Sequence, residues 1–169
     1  LTYTPSGTVQ FRNPTLGTGA PVNATPTAAL SLTIPSGATL GSISGQQSQF
    51  VFALLYNGGA PALAVANISG GLDMSETGLI STTAISSGAT ANNVWYSAAA
   101  VTNSPYKILG ATVQAEATAG AYATAPSLVQ PAGGQAFTAM MSAGVGQTWQ
   151  TTTRAFGTTY YNPTNRTAT

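Results

Sequence analysis

Apolar positions in this chain come in short runs, and the densest pair lies between Gln49 and Ile68, QFVFALLYNGGAPALAVANI. Phe50 to Tyr56 and Ala62 to Ile68 flank Asn57-Gly58-Gly59-Ala60. Asn and Gly accept positive φ at little cost, so this spacing predicts a β-hairpin. Within QFVFALLY, Phe50, Phe52 and Leu54 share one face, and Val51 and Leu55 share the other. A strand apolar on both faces belongs inside a sandwich or against a neighbouring subunit. The second strand, carried by Leu63, Val65 and the alanines between, shows a thinner version of the same pattern.

The rest of the chain hangs on that hairpin. Pro5, Pro14, Pro21 and Pro26 punctuate residues 1–28. Proline lacks the amide donor and fixes φ, so an extended arm is expected there, with ladder pairing only around Thr8 to Phe11. Such an arm is ordered only where it docks. Ala29 to Ile34 alternates Leu30, Leu32 and Ile34 as a strand would, and Ala38 to Ile43 reads as another short one. After the hairpin, SGGLDMSETG is a loop with room for a helical turn, and Leu79 to Ile85 resumes strand character. Val94 to Tyr96 is a short aromatic strand, and Ala98 to Pro105 reads as loop or a turn of helix. Tyr106 to Glu116 is the second-best strand. There, Gly110 in mid-strand signals a bulge or a close backbone approach. Ser127 to Gln130 closes the series. Short strands at this spacing, with no helical period, predict an antiparallel sandwich or barrel. The fold expected is all-β, a jelly-roll-like sandwich over 29–137 preceded by the arm. The character changes after Pro131, and residues 138–169 read as a link and the start of a further β module. Two strands alone cannot bury both Trp149 and the Phe156-Tyr160-Tyr161 group, since a lone hairpin is marginal in water.

Charge alters this picture most. Only 4% of residues are charged, against roughly 25% in an ordinary soluble domain. A formal net charge of +1 provides no field for nucleic acid or an anionic membrane. No apolar run is long enough to span a bilayer. Without cysteine there is neither disulfide nor thiolate chemistry. A start at Leu1 fits a processed terminus or a piece of a longer polypeptide.

The chain has no histidine and only three carboxylates, so acid–base and triad chemistry lack their parts. Asp73 and Glu76 could begin a cation site, but a capping turn is the better reading, because a hard cation wants more oxygens. The glycine pairs lack the Lys-Ser/Thr of a phosphate loop. Trp95, Tyr96, Tyr122 and Trp149 are the candidates for stacking on a sugar, with Tyr106 a further aromatic. Packing in a core or interface competes for the same rings. No catalytic residue, metal or cofactor is expected.

Three longer runs carry a resemblance. SLTIPSGATLGSISG (Ser31 to Gly45), ETGLISTTAISSGATANNVWYSAAA (Glu76 to Ala100) and KILGATVQAEATAGAYATAPSLVQPAGG (Lys107 to Gly134) resemble a module of tail-fibre and related virion proteins of tailed bacteriophages. GQTWQTTTRAFGTTYYNPTNR (Gly146 to Arg166) resembles a motif opening a distal domain in such fibres, although the usual motif continues where this chain stops. The resemblance implies a β-rich, usually trimeric appendage on the virion, outside the cell after assembly in the bacterial cytoplasm, and often used in host attachment. Its implied partners are further copies of the chain, other virion proteins and, in a glycan-binding version, the host surface. Three roles compete: a fibre spacer, a carbohydrate-binding module, and a polysaccharide-cleaving spike. The poverty in carboxylates argues against the last, since glycoside cleavage normally needs an acid pair.

Overall fold

The computed structural model describes residues 1–5, 7–13, 20–69, 80–102 and 104–132. Among them the chain is all-β and contains no helix. The strands are β1 (Thr2–Tyr3), β2 (Val9–Phe11), β3 (Val22–Ala24), β4 (Leu30–Ser31), β5 (Gln47–Leu55), β6 (Ala62–Asn67), β7 (Tyr96–Ser97), β8 (Tyr106–Ala115) and β9 (Leu128–Pro131). Five of them form one sheet in the order β7-β6-β5-β8-β9, every neighbour antiparallel. The remaining four make two ribbons, β1 with β4 and β2 with β3.

The expected hairpin is the middle of the sheet. β5 and β6 pair from Phe50↔Asn67 to Leu55↔Ala62, and Ala60 N–H donates to the Asn57 carbonyl at 2.9 Å to close the turn. Gly58 and Gly59 both hold positive φ, 58° and 93°. Their lack of a Cβ makes that conformation cheap. The alternation in β5 sorts its side chains into two cores. Phe50 and Leu54 join Leu63 and Val65 in one, while Val51, Ala53 and Leu55 join Ala64 and Ala66 in the other.

β8 changes phase half-way along. Phe52 faces Gly110 but Ala53 faces Ile108, so Leu109 is the extra residue of a bulge. Ile108 and Ala111, three positions apart, therefore both serve the second core, while Leu109 packs on the first. Gly110 also meets a close backbone. A Cβ there would run into the Gln130 carbonyl oxygen and lie 3.1 Å from Pro131 Cα.

The arm docks. Val9, Phe11 and Ala24, from β2 and β3, are buried in the first core, where the Phe11 ring tilts against Tyr56 at 5.6 Å. Thr2 and Tyr3 pair with Ser31 and Leu30. The pairing thus extends beyond Thr8 to Phe11, because burying Val9, Phe11 and Ala24 in the core stabilises a docked arm over a solvated one.

Two strand expectations give way to irregular backbone. Ala38 to Ile43 is a turn: Leu40 and Gly41 have φ of 49° and 73°, and Ser42 N–H donates to the Thr39 carbonyl at 2.8 Å. Ala38 and Leu40 are nonetheless fully buried, so the alternation recorded burial without ladder. From the Leu79 to Ile85 segment, Ile80 makes an isolated parallel bridge to Trp95, and Ser81 and Ile85 donate to the carbonyls of Trp95 and Ser97. The Ala29 to Ile34 strand is shorter than expected, with β4 covering Leu30–Ser31. Asp73, Glu76, the boundary near Phe137 and the 138–169 module lie outside the described residues.

Candidate functional site

Four aromatics were singled out for stacking, and the fold separates those it describes. Trp95 immediately precedes β7 and is 1% exposed, with its ring 5.0 Å from that of Tyr106. It offers no open face to a ligand. Its Nε1 and the Oδ1 of Asn93 are buried without a hydrogen-bond partner among the described residues. Tyr96, next along, points to the opposite face of the sheet, packs on the first core, and accepts from Ala91 N–H at 3.4 Å. Trp149 lies outside the described residues. Tyr96 and Trp95 are adjacent in sequence, yet serve different cores, so they do not form one platform.

Tyr122 is held on three sides. Its hydroxyl donates to the Ala38 carbonyl at 2.7 Å, and its ring meets Phe50 edge-on at 6.0 Å. Its backbone is left-handed, with φ of 48°. The phenol is pushed up to about 12, first by burial and then by the negative charge of Glu116.

Glu116 organises that corner. The side chain is buried, and its carboxylate accepts from Ala123 N–H at 3.0 Å, from Thr124 N–H at 3.1 Å and from Gln114 Nε2 at 3.3 Å. Its backbone carbonyl accepts from Gly45 N–H at 2.7 Å. Two neighbouring bonds tie the same two segments: Ala119 N–H to Ser44 Oγ at 3.0 Å, and Gly37 N–H to the Gly120 carbonyl at 3.0 Å. Gly120 sits so close to Gly37 that a Cβ would lie 3.1 Å from the Gly37 carbonyl carbon. A buried carboxylate held by three amide donors acts as a structural clasp. A sequence reading could not find it, because its partners are mostly backbone amides.

Two accessible concavities lie elsewhere, at the β8–β9 side of the sheet. One groove, about 290 Å³, runs between Tyr3, Val9, Leu54 and Leu109, with Lys107 at its wall. Lys107 Nζ donates to the Gln10 carbonyl at 3.4 Å. A second, about 270 Å³, has Phe52, Leu109 and Thr112 as its floor and Leu1 to Tyr3 and Val129 to Pro131 as its walls. Beside it β9 ends the sheet with Leu128 and Val129 exposed, Val129 to 66%. An edge strand with exposed apolar residues and no second partner among the described residues is a surface suited to another polypeptide.

Among the described residues no cluster of acidic, histidine or cysteine side chains could hold a metal ion. No described helix is long and apolar enough to cross a membrane. No family model matches the chain, nor does any curated protein or solved structure.

Proposed function

We propose that the chain is a non-catalytic, β-rich segment of a bacteriophage virion fibre, on tail or head, serving as a connector or host-attachment appendage and assembling with copies of itself, as a trimer. The observation that carries this reading is the apolar edge. Leu128 and Val129 stand exposed on β9 beside a groove of about 270 Å³ lined by Phe52, Leu109 and Tyr3, in a chain with 4% charged residues. So few charges, with an apolar edge that no described strand covers, suit a protein that is covered by neighbours in an assembly. The resemblance of Ser31 to Gly45, Glu76 to Ala100 and Lys107 to Gly134 to fibre modules supports the same assignment. A jelly-roll-like sandwich goes with it: the central sheet has apolar cover on both faces, supplied on one by Val9, Phe11, Leu32, Ala38 and Leu40 and on the other by Ile80, Trp95 and Val101.

Antibody against the full chain, applied to phage particles from a culture producing the protein, is expected to decorate a fibre-like projection in electron micrographs. Bare particles beside labelled cells would overturn the reading. Light scattering on the full chain should return a multiple of the monomer mass, and a monodisperse monomer at micromolar concentration contradicts assembly. Incubated with purified host surface polysaccharide, the chain should release no reducing ends. Binding to a glycan array would move the assignment to a carbohydrate-binding module, for which Tyr96 and Trp149 remain the rings to test.

A further inference from the structure

The tip of the β5–β6 hairpin carries chemistry that the fibre reading does not use. We propose that Asn57 is a site of spontaneous deamidation, converting to aspartate and isoaspartate. The inference is independent of the proposed function.

The reaction needs a backbone nitrogen that can reach its preceding asparagine side chain. The Gly58 nitrogen attacks Asn57 Cγ, forming an N–Cγ bond. The Cγ–Nδ2 bond breaks and ammonia leaves, carrying the proton lost by the Gly58 amide. Water then opens the resulting five-membered imide at either carbonyl, so an NH₂ group is exchanged for an OH. No oxidant or enzyme is required. Three features favour the step at Asn57. Asn57, Gly58, Gly59 and Ala60 are all exposed. Gly58 lacks the Cβ that would crowd its nitrogen, and even a built Cβ would meet nothing within 4 Å. The turn closes through Ala60 N–H to the Asn57 carbonyl, so the Gly58 amide at the second turn position is not the one spent on it.

The other asparagines lack this combination. Asn13 and Asn162 precede proline, whose nitrogen has no proton to lose. Asn67 is fully buried, and its Oδ1 accepts from Ser69 N–H at 3.0 Å and Ser69 Oγ at 2.7 Å. Asn23 lies within β3, held extended by its pairing with Gln10. Asn92 is exposed, but the nitrogen that would attack it, that of Asn93, donates to the Asn67 carbonyl at 2.8 Å. Asn93, Asn103 and Asn165 precede Val94, Ser104 and Arg166, all bulkier than glycine. Conversion adds one negative charge to a chain of formal charge +1. The isoaspartate form also inserts a methylene into the turn backbone.

The test is peptide mapping by mass spectrometry after incubation of the folded full chain in mildly alkaline buffer. With no Cβ on the attacking residue, Asn57 is expected to convert roughly ten-fold faster than any other asparagine. Gly58→Ala should slow conversion at Asn57 by a similar factor, and Asn57→Gln should leave the peptide spanning the turn unchanged. If Gly58→Ala fails to fold, the ranking of sites in the unaltered chain decides the matter. Conversion at Asn92 or Asn23 as fast as at Asn57, or an Asn57 that stays intact while others convert, overturns the proposal.

Discussion

One face of the central sheet is built from large side chains and the other largely from alanine, and the cover on each follows from that. On the first face Phe50, Leu54, Leu63 and Val65 stand tall. They are met by side chains from several short extended pieces, among them Phe11, Leu32 and Leu40. On the second, Ala53, Ala64, Ala66 and Ala111 leave a shallow surface beside Val51 and Leu55. A shallow surface admits one bulky side chain at close range, and Trp95 supplies it with Tyr106 beside it. Close packing can thus be reached by many medium contributions or by one large one. The two solutions differ in how they fail.

That difference can be broken by truncation on each face. Trp95→Ala should cost about 3–5 kcal/mol, because it removes the largest buried side chain of this core and the alanines beneath it cannot fill the hole. Phe11→Ala, on the face covered in pieces, should fall at the lower end of that range, since β2 belongs to a two-stranded ribbon that can shift to recover contacts. Urea unfolding of both variants measures the gap. Equal losses would show that the ribbon is as rigid as the sheet.

A third variant tests where the two faces are forced out of phase. Gly110→Ala places a methyl against the Gln130 carbonyl and near Pro131 Cα, both backbone, with no flexible side chain to yield. A loss of about 1–3 kcal/mol is expected from overpacking. Because the clash is with β9, hydrogen exchange should report it first as lost protection at Leu128 to Gln130, while β5 and β6 stay protected. Uniform loss across the sheet would mean that the bulge, more than the edge strand, depends on this glycine.

How much of this was legible in the sequence depends on whether the signal was local. The β5–β6 hairpin was, since Phe50 to Leu55 alternates between two apolar sets and Asn57-Gly58-Gly59 has few other conformational uses. Gly110 was legible for the same reason: a glycine in mid-strand demands a cause. The alternation of Ala38 and Leu40 misled, because burial repeats every second residue in an irregular segment laid on a core as well as in a strand. The docking of Val9 and Phe11 was only half visible, as apolar residues between prolines do not say what covers them. Trp95 shows the limit for the site. An aromatic run such as Val94-Trp95-Tyr96 has the same composition whether its rings face a sugar or a floor of alanines. The Glu116 clasp left no trace, because most of its donors are backbone amides that every residue type supplies.

The smallest effect sharpens the comparison by isolating one polar tie on the large-residue face. Tyr122→Phe keeps the ring against Phe50 and deletes only the hydroxyl that donates to the Ala38 carbonyl. At neutral pH the loss should be about 1 kcal/mol, the net worth of one such bond. The pH dependence identifies it. Burial, then the Glu116 charge, raises the phenol from 10.0 to about 12, so the folded state favours the neutral hydroxyl. A group whose folded pKa lies above its unfolded one gives its full stabilisation below the unfolded value and loses it as pH climbs to the folded one. The parent should therefore shed this contribution between pH 10 and about 12, whereas Tyr122→Phe has none to shed. The stability gap between the two, measured by urea unfolding at stepped pH, should hold steady up to pH 10 and then narrow. A gap that stays constant through the alkaline range would mean that the Tyr122 hydroxyl keeps its proton no better folded than unfolded, and that Ala38 is held by its neighbours instead.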